Sequence, residues 1–92
     1  MADLSARLAD RVQRDFQDPG SALEVCRIVS TASESERVQA AIVFWARGSI
    51  DRLRDGAALA RTDWRDVLVR AELADDDWRS RLDDELGPID TD

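Results

Sequence analysis

The stretch that decides the fold is residues 33–48, SESERVQAAIVFWARG. It contains the longest apolar run of the chain, residues 40–46, and its large side chains recur every three or four positions. This spacing is typical of one face of an α-helix, and the high apolar content predicts that the helix lies at the centre of the core. The residues at this spacing are Val38, Ala41, Ile42 and Trp45, with Phe44 beside them.

Polar residues at both ends predict where this central helix begins and ends. Ser33 followed by Glu36 forms a capping box, in which each side chain bonds a free backbone N–H of the first turn. Gly48 favours the left-handed conformation that ends many helices. Upstream, Ser21 begins a second capping box and predicts a helix that ends near Thr31.

The N-terminal part of the chain is predicted to form one amphipathic helix over about residues 3–17. Its apolar residues recur every four positions, and oppositely charged residues four apart support a solvated outer face. The sequence Asp-Pro-Gly at residues 18–20 ends this helix. The apolar positions are Leu4, Leu8, Val12 and Phe16.

Three further helices are predicted in the C-terminal half. Ser49 can cap the first of them, and Thr62 or Asp63 can cap the second. Three aspartates at residues 75–77 begin the third, which carries apolar residues every four positions and ends at a Gly-Pro pair. Gly56 lies inside the first of these helices and weakens it by about 1 kcal/mol relative to alanine.

No segment of useful length alternates with the period of a β-strand. We therefore expect an all-α fold, a compact bundle of five to six short antiparallel helices with no strands. Its length suits a single helical domain over residues 1–88, followed by a frayed tail over residues 89–92.

The composition restricts which partners and which cellular compartment suit the chain. The net charge is -7, although 13 of the 92 residues are basic, all of them arginine. Such a charge repels nucleic acid and anionic membrane surfaces, and residues 40–46 are too few to cross a bilayer. The first residues include an acid, Asp3, and no apolar run, so we expect no signal peptide, and a lone cysteine suits a reducing compartment. We expect a cytoplasmic protein that binds neither nucleic acid nor membranes.

The chain has no His, Lys or Tyr, which removes most familiar catalytic constellations. Cys26 lacks a base, so a buried structural thiol is favoured over a reactive thiolate. The acids at residues 75–77 could hold Mg²⁺ or Ca²⁺, but they suit a helix start better, because Asp77 can pair with Arg81. We predict no catalytic residue, no cofactor, no metal and no enzymatic activity.

The three tryptophans are the most informative side chains. Trp45 and Trp64 have apolar neighbours at helical spacing and are predicted to lie in the core. Trp78 lies among charged residues, and an exposed tryptophan beside arginine is typical of an interface hot spot. The candidate interaction surface is therefore Trp78, Arg79 and Leu82, and the alternative is that Trp78 packs onto a neighbouring helix.

The run TDWRDVL at residues 62–68, with residues 36–42, 51–54 and 77–78, is similar to a family of short bacterial proteins described only as hypothetical. The resemblance covers about residues 34–87. It implies a bacterial cytoplasmic protein and carries no known activity, cofactor or partner.

These observations favour a non-enzymatic protein–protein interaction module that binds an unknown protein or itself, as a homodimer. An alternative is an acidic inhibitor or nucleic-acid mimic that occupies a basic groove of its partner, suggested by the net charge of -7. A carboxylate-based metal enzyme is less favoured than either.

Overall fold

The computed structural model describes residues 4–87, and these residues form five α-helices and no β-strand. The predicted all-α class is confirmed, whereas the antiparallel packing of consecutive helices stays a prediction. The predicted tail at residues 89–92 lies outside the described residues, as does residue 3, the predicted helix start. The helices are α1 (Ala6–Asp15), α2 (Pro19–Ala32), α3 (Glu36–Ala46), α4 (Ile50–Arg70) and α5 (Trp78–Leu86).

The start of α2 differs from the capping box predicted at Ser21. Asp18 is the N-cap, and its carboxylate accepts a hydrogen bond of 3.0 Å from the backbone N–H of Ser21. Pro19 is the first helical residue, where its missing N–H costs nothing because that group has no intrahelical acceptor. The Asp-Pro-Gly sequence therefore begins α2, and α1 has already ended at Asp15.

The cap of α3 is likewise shifted by two residues from the predicted box at Ser33. Ser35 is the N-cap and accepts from the N–H of Val38, while Ser33 ends α2. Glu36 consequently occupies the first position of the helix and cannot reach back as a box requires. Its carboxylate instead bonds Arg7 of α1, 29 positions away.

Helix α3 carries the most deeply buried segment of the chain, as predicted, and it contacts all four other helices. Its one buried polar side chain, Gln39, donates from Nε2 to the carbonyl of Ser33 over 2.7 Å, so burial leaves it hydrogen-bonded. The helix ends at Arg47, which is left-handed, followed by Gly48 with φ +81°, as the glycine stop predicted. Its fully buried residues are Ala40, Ala41, Ile42, Val43 and Ala46.

Helix α4 replaces two of the predicted helices. The second was expected to begin at Thr62 or Asp63, and the backbone of Asp63 is indeed non-helical, which makes a kink rather than a separate turn. The result is one bent helix of 21 residues, Ile50–Arg70, capped by Ser49 as predicted. None of the described helices combines the length and hydrophobicity needed to cross a membrane.

Gly56 is buried where α4 packs against α3. A Cβ atom at this position would lie 3.2 Å from Cε3 of Trp45 and 3.6 Å from Cγ2 of Ile42. The sequence indicated only a weak point in the helix, but the missing side chain lets the indole of Trp45 pack against the backbone of α4.

Arg7 joins three parts of the chain that are distant in sequence. Its guanidinium donates to the carboxylate of Glu36 over 2.6 and 3.0 Å, to Asp83 over 2.7 Å and to the carbonyl of Gly87 over 2.9 Å. The Arg7 side chain is only 11% exposed. Hydrogen bonding to Glu36 and then Asp83 raises the pKa of Arg7 above its usual range. This arrangement holds α1 against the start of α3 and the end of α5.

The Arg7–Glu36 pair predicts how stability changes in acid. The bond from Arg7 lowers the pKa of Glu36 below its ordinary value of 4.5, and a bond from the Ser5 hydroxyl acts in the same direction. A carboxyl with a lowered folded-state pKa stabilises the fold above its unfolded pKa, and this contribution is lost as pH falls through the folded-state value.

We therefore expect the free energy of unfolding to decrease as the pH drops below about 4.5. This decrease should be smaller in Glu36→Gln. Urea unfolding at pH 7 and pH 3 measures both effects. Glu34→Gln is the control, since the Glu34 side chain is exposed and has no hydrogen-bond or ion-pair partner in residues 4–87. Equal pH dependence in wild type and Glu36→Gln would contradict the assignment.

Candidate functional site

The kink in α4 determines where Trp64 lies. Oδ1 of Asp63 accepts a hydrogen bond of 3.3 Å from the N–H of Asp66, as an N-cap does, so the helical register restarts at Trp64. The prediction that Trp64 lies in the core is wrong, because its side chain is 47% exposed. Ala60, Val67 and Leu68 are buried in the core without it.

We call four exposed residues on the second half of α4 the Trp64 face: Arg61, Trp64, Arg65 and Val69. Val69 is 62% exposed, so the face presents two large apolar side chains to solvent. The guanidinium of Arg65 lies 5.2 Å from the centroid of the Trp64 ring, which is a cation–π distance.

The two arginines of the Trp64 face are exposed and unpaired within residues 4–87. Neither Arg61 nor Arg65 forms an ion pair or side-chain hydrogen bond there, whereas eight carboxylates pair with other arginines. Of the two nearby acids, Asp63 caps the helix through Oδ1 and Asp66 pairs with Arg70 over 3.0 Å. A chain of net charge -7 thus presents two unpaired arginines here, beside two exposed apolar side chains.

The predicted surface of Trp78, Arg79 and Leu82 is only partly available. Trp78 is partly buried against the core, and its ring lies between the guanidinium groups of Arg37 at 4.6 Å and Arg79 at 5.1 Å. Leu82 is 1% exposed and belongs to the core. Leu82 is therefore not exposed on this surface, and the role of Trp78, Arg79 and Leu82 in binding stays a prediction.

A polar depression of about 460 Å³ lies where α1, the end of α3 and α5 meet, with Phe44 and Trp45 in its wall. Arginines cover both rings, Arg11 over Phe44 at 4.9 Å and Arg52 over Trp45 at 4.5 Å. Arg11 is also paired, with Asp15 and Glu85, and desolvation opposes but does not outweigh these bonds, which raise the pKa of Arg11. Most charged groups in the wall of this depression thus already have a partner within the chain.

The sequence also offered Cys26 as a reactive thiol and the acids at residues 75–77 as metal ligands. Cys26 is partly buried, and burial raises the pKa of its thiol, which disfavours the reactive thiolate. Asp77 pairs with Arg81 over 3.3 Å, as its spacing predicted. Within residues 4–87, no three Cys, Asp or Glu side chains cluster as a metal site would require.

Comparison with models of protein families, with curated proteins and with solved structures gave no match. The resemblance to short bacterial proteins over residues 34–87 therefore stays a prediction.

Proposed function

We propose that the chain is a non-enzymatic protein–protein interaction module and that the Trp64 face is its principal binding surface. The observation that carries this proposal is the 47% exposure of Trp64 beside the unpaired Arg61 and Arg65. Tryptophan and arginine are, with tyrosine, the residues most enriched at the energetic centres of interfaces.

The chemistry of the face also specifies the kind of partner. Burying Trp64 and Val69 requires an apolar segment of the partner. Burying Arg61 and Arg65 without a net desolvation cost requires carboxylates beside that segment. A partner helix or loop with apolar residues flanked by Asp or Glu meets both conditions. The overall charge of -7 weakens long-range attraction to such a partner, so binding depends on close contact.

The acidic-inhibitor alternative is supported by net charge alone. Mimicry of a nucleic acid needs carboxylates gathered on one surface, whereas acids of α1, α2, α3, α4 and α5 pair with arginines of the same chain. We therefore favour the interaction module whose contact surface is the Trp64 face.

Replacing Trp64 with alanine is the first test of this function. We expect Trp64→Ala to weaken partner binding at least tenfold, since loss of an interface tryptophan typically costs 2 kcal/mol or more, about 1.4 kcal/mol being tenfold. The measurement compares proteins that co-purify from the native host with tagged wild type, Trp64→Ala and Thr31→Ala.

Thr31→Ala is the control, because Thr31 is an exposed residue on a different helix. A protein retained by wild type and Thr31→Ala but lost from Trp64→Ala supports the proposal. Identical proteins retained by all three variants, or none by wild type, would overturn it. Circular dichroism of each variant establishes that the fold is unchanged.

A further inference from the structure

A groove between α1 and α2 lies on a different surface from the Trp64 face. It has a volume of about 440 Å³, and Phe16, Ala22 and Cys26 contribute to its wall. None of its seven lining residues is charged, although 36% of the chain is charged. We call this depression the α1–α2 groove. An uncharged depression on so charged a protein can be covered without removing any ion from water.

Leu23 stands at the edge of this groove and is the most exposed large apolar side chain described, at 71%. The floor residue Phe16, in contrast, is almost completely buried. A projecting side chain and an apolar recess therefore lie side by side on one patch. This combination satisfies the self-complementarity that a two-fold contact between identical molecules requires, because each copy supplies both a projecting side chain and a recess.

We propose that the α1–α2 groove binds a second copy of this chain, with Leu23 of each copy entering the groove of the other. The two α2 helices then cross in opposite directions around a two-fold axis near Leu23. The inference names the homodimer within the proposed interaction function and leaves the Trp64 face free for another protein.

The charges beside the groove favour this occupant. Asp18 lies between the lining residues Gln17 and Pro19, and Arg27 lies one turn beyond Leu23; both side chains are exposed. Arg27 has no ion pair within residues 4–87. Pro19 and Arg27 are each four residues, about 6 Å, from Leu23 along the helix. Opposed α2 helices therefore bring Asp18 of each copy towards Arg27 of the other.

The net charge of the molecule favours this surface for self-association. Two chains of net charge -7 repel each other, and the repulsion is least where the contact itself is uncharged and its edges are complementary. A basic partner would find no cluster of acids at this groove. Screening of the repulsion by salt should tighten a homodimer, whereas salt should weaken binding of a partner of opposite charge.

Sedimentation velocity of the full chain across a wide concentration range is the test. We expect a reversible dimer that tightens in added salt and that Leu23→Glu weakens at least tenfold, since it places a carboxylate in each groove. Ala58→Glu is the matched control, introducing the same charge at an exposed apolar position of α4, and should dimerise like wild type. Both sites are exposed, so neither change disturbs the core.

Cross-linking with a bismaleimide gives a second readout, because Cys26 is the single cysteine and lines the groove. A covalent dimer in wild type, absent in Cys26→Ser and reduced in Leu23→Glu, supports the proposal. Wild type that is monomeric throughout, or a dimer equally stable in Leu23→Glu, overturns it. A monomer that still retains a Trp64-dependent partner would overturn the dimer alone, and a Leu23-dependent dimer without such a partner would overturn the Trp64 proposal alone.

Discussion

Arg7→Ala should lower the free energy of unfolding by about 3 kcal/mol, because truncating one partner of a largely buried ion pair leaves the other charge uncompensated. The side chain donates four hydrogen bonds that join α1 to Glu36, Asp83 and Gly87. Asp83 is half-exposed and water can solvate it, so the main loss comes from Glu36, whose side chain is 29% exposed. Urea unfolding at pH 7 measures the effect.

Arg14→Ala is the matched control for this substitution. Arg14 lies on the same helix and is exposed, and its guanidinium has no partner in residues 4–87. Its replacement should change the free energy of unfolding by less than about 0.5 kcal/mol. Equal losses for Arg7→Ala and Arg14→Ala would show that the contacts of Arg7 contribute nothing beyond the loss of an arginine from α1.

Gly56→Leu should lower the free energy of unfolding by about 2 kcal/mol. The new Cβ would meet the Trp45 ring at 3.2 Å and Cγ2 of Ile42 at 3.6 Å, and leucine adds three more carbons to this close contact. Overpacking of this kind costs about 1–3 kcal/mol, and the gain of about 1 kcal/mol in helix propensity offsets only part of a cost at the upper end of this range. Thermal unfolding followed by circular dichroism measures the loss.

Ala58→Leu supplies the comparison, because Ala58 is exposed on the same helix and accepts the same side chain without contact. We expect its stability to stay within about 0.5 kcal/mol of wild type. A Gly56→Leu protein as stable as Ala58→Leu would mean that α3 and α4 separate at no cost, contrary to the close packing at Trp45.

The helices could be predicted from sequence because apolar spacing and capping residues are local. The predicted α3 core, the Ser49 cap and the cap at Asp63 all depend on residues within about one turn of each other. The errors at Ser21 and Ser33 have the same origin. Asp18 and Ser35 offered competing caps a few residues away, and local sequence does not decide between adjacent caps of similar strength.

The candidate site was harder to predict because it depends on contacts between distant elements. Trp64 has apolar residues at helical spacing on both sides, and only the kink at Asp63 separates it from Ala60. The strong cap signal of Asp63 was the available indication that the register restarts there. The burial of Leu82 and the joining of Arg7 to Asp83, 76 residues away, depend on tertiary packing that periodicity does not contain.

The Trp64 face is tested most directly by photo-crosslinking from position 69 in the native host, with a photoreactive side chain in place of exposed Val69. The control position is Thr31, which is exposed at the end of α2. We expect a discrete adduct with another protein from position 69, its loss when Trp64→Ala is added, and no such adduct from position 31. No adduct from position 69, or one that persists in Trp64→Ala, would contradict it.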